Sequence, residues 1–205
     1  RELWSYVFQD MDTLIFFSLV YAMGISGAIA ENFSYIRFRE VGGNGSDIGM
    51  SRLLCSIAGA IMFWYSSSFS AWLGMEKVMV LSLLSVAVRF ALYVIMDNPY
   101  YGYLAEVLRG LTFGCFWSTS TVYASQIAPH EVRATMLQLL NGAYNSIGRS
   151  TGEIIGGKMQ AEVGTERTFL YFAILNVILV VILVSYTKLG GSSGFAKPDH
   201  QPNKK

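Results

Sequence analysis

The chain has 205 residues, of which 53% are hydrophobic and only 14% are charged, and its mean hydropathy is +0.41. An average soluble domain carries roughly 25% charged residues, so this chain has too little polar surface to cover a soluble globule. Disorder needs low hydrophobicity and high charge, and nucleic-acid binding needs excess positive charge, whereas 15 Lys and Arg face 14 Asp and Glu here. The composition therefore favours an integral membrane protein in a lipid bilayer, with no nucleic-acid partner.

Six apolar stretches follow one another along the chain, and each has the ~20 residues that a helix needs to cross the hydrocarbon core. A soluble helical core would explain one such stretch but not six in series, and membrane β-strands would alternate polar and apolar residues. The sequence therefore predicts an all-α integral membrane fold with six transmembrane helices. In chain order the stretches are Thr13–Ile36, Leu53–Met75, Val78–Met96, Tyr100–Ala128, Val132–Met159 and Thr168–Thr187.

Turn-forming residues separate these stretches. Asp47 is suited to cap the second helix at its N-terminus, and the serines of 66–70 are expected to begin a loop at its end. The Gly, Ser, Pro and Lys composition after Lys188 is typical of disorder. We therefore expect a juxtamembrane segment over 1–12, a six-helix bundle over 13–187 and a disordered cytoplasmic tail over 188–205.

An even number of spans places both ends of the chain on one side of the membrane. The positive-inside rule favours cytoplasmic ends. That preference depends on the tail lysines Lys188, Lys197, Lys204 and Lys205. In this topology the sequon Asn44-Gly45-Ser46 lies outside, so Asn44 is a candidate glycosylation site. We expect a multi-pass protein of the plasma membrane or an organelle membrane.

Six charged residues are predicted at membrane depth, where each costs about 2.5–3.5 kcal/mol on insertion scales unless it faces a polar interior. Two interpretations remain open: a solute-binding or ion-coupling network, or structural ion pairs that hold helices together. Glu106 and Arg109 are three residues apart and can pair on one helix face. Snorkelling towards the surface is a further alternative for the two that lie near helix ends, Glu31 and Glu153. The full set is Glu31, Arg89, Glu106, Arg109, Arg149 and Glu153.

The fifth stretch carries a polar stripe, because Asn141, Asn145, Arg149 and Glu153 recur every four residues. Polar groups along one side of a spanning helix are costly against lipid, so we expect a water-filled cavity beside this helix. The stripe overlaps a run of small residues spaced for close helix packing. These are Gly148, Gly152 and Gly156.

Enzymatic and cofactor-binding motifs find no support in the sequence. Residues 152–158 match the core of a phosphate-binding loop, but Met159 replaces the Ser or Thr that would bind Mg²⁺, and no strand precedes them. The histidines His130 and His200 have no Cys or paired carboxylate at a useful spacing. We therefore expect no catalytic residue, no metal site and no cofactor.

Two segments resemble helices ten and eleven of the major facilitator superfamily, in the branch of major-facilitator domain-containing proteins related to lactose permease. The first runs from Glu106-Val-Leu-Arg109-Gly through Trp117 and Tyr123-Ala-Ser-Gln-Ile-Ala-Pro129 to Arg133-Ala-Thr135. The second runs from Gln138-Leu-Leu-Asn-Gly142 to Gly156-Gly157. The resemblance covers essentially the whole chain, as the C-terminal six-helix half of a twelve-helix bundle.

The resemblance implies alternating-access transport of a small polar solute, with a missing N-terminal six-helix half as partner. It also implies that Arg89 matches a helix-nine arginine used in proton coupling by lactose-permease-like symporters. Helix ten carries Glu106, while Phe113 stands where many relatives have a histidine. Solute binding or coupling is thus expected from Arg89, Glu106, Arg109, Asn141, Asn145, Arg149 and Glu153. Arg1 is not an initiator methionine, so the chain is expected to be a fragment or a processed product. The alternative is a non-transporting receptor or scaffold.

Overall fold

The computed structural model describes residues 11–128 and 130–188, and these ranges form six helical rods joined by short connectors. The prediction of an all-helical fold is confirmed. The fifth rod is interrupted by a π-helical segment, and a single 3₁₀ turn, His130–Val132, precedes it. The helices are α1 (Met11–Glu40), α2 (Gly45–Leu73), α3 (Met75–Val94), α4 (Pro99–Ile127), α5 (Arg133–Asn141), the π segment (Gly142–Gly148), α6 (Arg149–Val163) and α7 (Thr165–Lys188).

Four of the described helices are long and apolar enough to cross a membrane by length and composition. They are α1, α3 over Glu76–Val94, α7, and α2 over Gly45–Ser66. The rods formed by α4 and by α5 to α6 do not qualify by the same measure. Six spans therefore stay a prediction, while four apolar candidates are present.

The second helix begins before its apolar stretch, because α2 starts at Gly45, eight residues before Leu53 and two before the predicted cap Asp47. Its first turn is capped by Asn44 rather than by Asp47, since Asn44 Oδ1 accepts hydrogen bonds from the backbone N–H groups of Ser46 and Asp47. Asp47 instead accepts from the Asn44 N–H at 2.8 Å. The two side chains thus satisfy N–H groups at this helix start reciprocally.

The serine-rich end of the second stretch is helical, not a loop, and α2 continues to Leu73. Ser66 Oγ donates to the Phe63 carbonyl at 2.8 Å, a local bond that a helix accommodates. Gly74 then turns the chain into α3 with a φ of 82°, a left-handed conformation that favours glycine. A single residue therefore replaces the predicted loop.

Contacts at both ends of the bundle hold α1 against its neighbours. At one end Tyr186 on α7 donates to Asp12 Oδ1 at 2.8 Å. At the other end Arg37 donates to the carbonyls of Tyr93, Val94 and Met96, which close the C-terminus of α3. The start of α1 and the end of α7 thus lie at the same end of the bundle, and Arg37 lies at the opposite end.

Contacts between pairs of helices hold the middle of the bundle together. α2 packs most extensively on α4, α3 packs on α7 and α4, and α1 packs on the π segment and α6. The predicted glycines Gly148, Gly152 and Gly156 are all buried at this last contact. A Cβ at Gly152 would lie 2.5 Å from the Ile25 carbonyl oxygen, so α6 approaches the α1 backbone as closely as only glycine permits.

Two of the segment predictions fall largely outside the described residues. Met11 and Asp12, assigned to a juxtamembrane segment, belong to α1, and the structure describes none of 1–10. Lys188, predicted to begin the tail, is the last residue of α7, and the remaining tail, 189–205, lies outside the described ranges.

Candidate solute-binding site

Glu31 on α1 is the meeting point of three arginines. Its Oε1 lies 3.2 Å from Arg52 Nη1 and 3.0 Å from Arg109 Nη2, and its Oε2 lies 2.8 Å from Arg149 Nη1. Because these arginines belong to α2, α4 and α6, one carboxylate connects four helices. Glu31 is nine residues before the end of α1, which places it about 13 Å inside that helix.

A second carboxylate, Glu106 on α4, is held in a buried pair. Its Oε1 accepts from Arg89 Nη2 at 2.8 Å and from the Tyr93 hydroxyl at 2.6 Å. The side chains of Arg89 and Glu106 are only 4% and 2% exposed. Charge-assisted bonds of this kind, closed off from water, make a strongly oriented pair.

Arg109 joins the two carboxylates into one network. Its Nη1 donates to Glu106 Oε2 at 3.3 Å while its Nη2 reaches Glu31. The predicted pairing of Glu106 with Arg109 is therefore present in the structure. We call the connected set the arginine–glutamate network: Glu31, Arg52, Arg89, Glu106, Arg109 and Arg149.

A cavity of about 80 Å³ opens beside this network, between α1, α3, α4, the π segment and α6. That volume is enough for a few water molecules. Its charged and polar lining comes from Glu31, Ser85, Arg89, Arg109, Thr112, Tyr144, Asn145 and Arg149. The cavity is therefore polar on the side that faces the network.

Two aromatic residues, Phe113 and Tyr144, also line the cavity, and Trp117 packs against both of them. Tyr144 in the π segment lies 5.3 Å from Trp117 and 5.9 Å from Phe113, between ring centroids. Phe113 and Trp117 are themselves stacked at 5.9 Å. Rings arranged in this way present an apolar face to whatever occupies the cavity.

The predicted polar stripe is divided by the structure. Asn145 and Arg149 line the cavity, whereas the exposed Asn141 and Glu153 are not among its lining residues. Asn145 Nδ2 donates to Asn141 Oδ1 at 2.6 Å, and Glu153 accepts from Asn32 at 3.1 Å. A cavity is thus present beside the middle of the stripe only, and its filling by water stays a prediction.

Two members of the network were absent from the predicted site. Glu31 was visible as a charge at membrane depth but was assigned to a helix end, because α1 was predicted to stop at Ile36 rather than Glu40. Arg52 lies one residue before the apolar stretch Leu53–Met75 and is not among the charges predicted at membrane depth, whereas α2 starts at Gly45 and includes it. A more accurate helix boundary would have placed both side chains inside the bundle.

The described residues contain no group of three or more His, Cys, Asp or Glu side chains that could hold a metal ion. Cys55 and Cys115 are both free and buried. Arg109 Nη1 approaches Cys55 Sγ at 3.5 Å, so this thiol borders the network without forming part of an ion pair.

Comparison with known proteins gives a family and two curated relatives. The MFS_1 like family matches residues 2–171. The maltose permease of Geobacillus stearothermophilus is 25% identical over 181 residues, which are 87% of this chain and 46% of that permease. The uncharacterized transporter YwbF of Bacillus subtilis (strain 168) is 24% identical over 166 residues, 80% of this chain and 42% of that protein.

These matches confirm the predicted resemblance to the major facilitator superfamily. Together with the four long apolar helices, they support an integral membrane protein of the transporter type. The chain spans less than half the length of the two curated relatives.

Proposed function

This chain belongs to the MFS_1 like family, and from that membership we propose that it forms the C-terminal six-helix half of a longer transporter for a small polar solute. The observation that carries the proposal is the cavity beside the arginine–glutamate network, whose charged side chains come from five helices. Charges buried at this depth are typical of solute and ion pathways in membrane proteins.

All six rods cross the membrane in this proposal. α4 is less apolar than the four candidate spans, and the charges it carries, Glu106 and Arg109, point into the network rather than towards lipid. In the fifth rod, Arg149 pairs with Glu31. Polar groups directed inward in this way remove the main cost of placing these two rods in a bilayer.

The solute site is completed by a second six-helix half. A cavity of about 80 Å³ is well below the ~300 Å³ at which small-molecule pockets begin. The relatives are more than twice as long as the matched region, which leaves room for such a half. The solute then binds between the halves, and their rocking exposes the site alternately to each side.

Glu106 is the proposed coupling group if transport uses a proton gradient. It is buried, accepts bonds from Arg89 and Tyr93, and connects through Arg109 to the cavity. Protonation of this carboxylate would loosen the buried pair and release Arg109 from one of its two acids. Arg89, Glu106 and Arg109 would then act together in coupling, while Asn141, Asn145, Arg149 and Glu153 contact solute or the second half.

Uptake by the full-length protein in liposomes tests this proposal. A panel of small polar solutes is offered with and without a proton gradient, and empty liposomes are the control. Accumulation of at least one solute above the control supports transport, and a dependence on the gradient supports the symporter form. Absence of uptake across the panel would favour the receptor or scaffold alternative. A partner would find little surface between α1 and α2, because only residues 41–44 connect them.

A further inference from the structure

The charges around the cavity do not balance. One acid and three arginines line it: Glu31, Arg89, Arg109 and Arg149. Adding the two members of the arginine–glutamate network that lie behind the lining, Glu106 and Arg52, brings one charge of each sign. Within the described residues the excess is therefore two positive charges by either way of counting.

Three other acids form their contacts outside the arginine–glutamate network. Glu153 follows Arg149 by one turn, but it is bonded to Asn32 and does not line the cavity. Asp47 accepts a bond from Tyr103, and Glu40 pairs with Arg37 at the end of α1. None of these three carboxylates is paired with an arginine of the network in the described structure.

Two arginines that line the cavity also keep unused hydrogen-bond donors. The Arg149 guanidinium donates one hydrogen bond to Glu31, and a guanidinium has five N–H donors. Arg89 Nε is buried and has no hydrogen-bond partner among the described residues. Guanidinium groups with free donors match the paired oxygens of carboxylates and phosphates.

We infer that the transported solute is a small oxyanion, a carboxylate or a phosphate, that binds between Arg149 and Arg109 and competes with Glu31 for them. The inference rests on the proposed function and names its class of substrate. A bound carboxylate offsets one of the two excess positive charges and a phosphate offsets up to two, while Glu31 keeps Arg52 as its partner. The rings of Phe113 and Tyr144, which line the cavity, contact the carbon skeleton of an organic anion.

A neutral solute of the same size would not offset the positive charge of the cavity. It could accept hydrogen bonds from Asn145 and the arginines, but it would leave the excess positive charge of the cavity unpaired. Arg109 and Arg149 are 23% and 27% exposed, so water screens part of their charge. Unpaired charge in such a partly buried site is still unfavourable, and an anion is therefore favoured over its neutral analogue.

Matched solute pairs test the inference in the full-length protein in liposomes. The pairs are glucuronate with glucose, and lactate with propane-1,2-diol, and the phosphate arm consists of inorganic phosphate and glucose 6-phosphate. We expect the anionic member of a pair, or a phosphate, to be taken up and the neutral member not. Uptake of neutral members alone would overturn the inference and leave the proposed function standing. No uptake of these solutes or of the wider panel would overturn both the inference and the proposed function.

Variants separate recognition from a structural role. Arg149→Gln should raise KM for the anion by about tenfold or more, since a charge-assisted bond is lost, and Arg149→Lys should recover part of that loss. Glu31→Gln removes the competitor and should lower KM for the anion. Arg133→Gln removes an exposed positive charge outside the network and is the control. An unchanged KM in Arg149→Gln, or a raised KM in Glu31→Gln, would contradict the assignment.

Discussion

Glu31 Oε2 on α1 and Arg149 Nη1 on α6 form a 2.8 Å ion pair across 118 positions of sequence. The same carboxylate pairs with Arg52 and Arg109, so the pair belongs to a junction of four helices. Removal of Glu31 would therefore disturb more than one contact at once.

Replacing Glu31 with Gln should destabilise the full-length protein. The three arginines lose their shared acid, and leaving charged donors unsatisfied costs about 1–3 kcal/mol or more. The side chain of Glu31 is 20% exposed, so water screens part of this cost. Thermal unfolding of the detergent-solubilised protein is the measurement.

Glu162→Gln is the matched control for this change, because Glu162 is exposed near the end of α6. It should leave the midpoint temperature unchanged. Equal midpoints for Glu31→Gln and the unsubstituted protein would show that the junction contributes nothing to stability. An added anion that restores the midpoint of Glu31→Gln would agree with competition at this site.

Replacing Glu106 with Gln should impair uptake or shift its pH dependence. The substitution removes the carboxylate that Arg89, Tyr93 and Arg109 share, and with it the proposed coupling group. Uptake is measured in liposomes over a range of pH. Unchanged uptake and an unchanged pH profile would exclude the proposed role of Glu106.

Loss of folding must be distinguished from loss of coupling in this variant. Breaking a buried ion pair on one side costs about 3–5 kcal/mol, whereas replacing both partners with apolar residues is often neutral. The double variant Arg89→Met with Glu106→Leu should therefore recover stability but not pH-dependent uptake. If it recovers both, the pair is structural only.

Replacing Gly152 with Ala should weaken the contact between α6 and α1. The new Cβ would lie 2.5 Å from the Ile25 carbonyl oxygen and 2.9 Å from Ile25 Cα, so the two backbones must separate. Gly157→Ala is the control, because nothing lies within 4 Å of a Cβ there. It should instead stabilise α6 by up to about 1 kcal/mol through helix propensity.

Thermal midpoints of these two variants should move in opposite directions. A Gly152→Ala protein as stable as Gly157→Ala would mean that the helices are not held at this distance in the membrane. Uptake by Gly152→Ala should also fall, because α6 carries Arg149 into the cavity.

Cysteine labelling should place the connector between α1 and α2 outside the cell and the one between α2 and α3 inside. The bond between Tyr186 and Asp12 puts both ends of the bundle rods on one side, as the even number of spans requires. Asn44→Cys in intact cells should react with a membrane-impermeant maleimide. Lys77→Cys, in the first turn of α3 next to the connector, should react only after permeabilisation. An Asn44-linked glycan, lost in Asn44→Gln, would agree with this topology, and the opposite labelling pattern would invert it.

The sequence by itself determined the helical membrane character of this protein and five of the six charged residues of the network, all except Arg52. Long apolar stretches and charges within them are local properties, so hydropathy and helix length were enough to predict both. Glu106 with Arg109 was also accessible, because three residues along a helix determine a shared face.

Only the tertiary structure decided which charges meet. Helix rotation and packing set the partners of Glu31, and the close approach of α1 and α6 at Gly152 brings Arg149 within reach of it. These contacts join residues that are 21 to 127 positions apart on different helices, and no local periodicity encodes them. The positive excess of the cavity is likewise a property of the packed bundle, since the whole chain is nearly neutral.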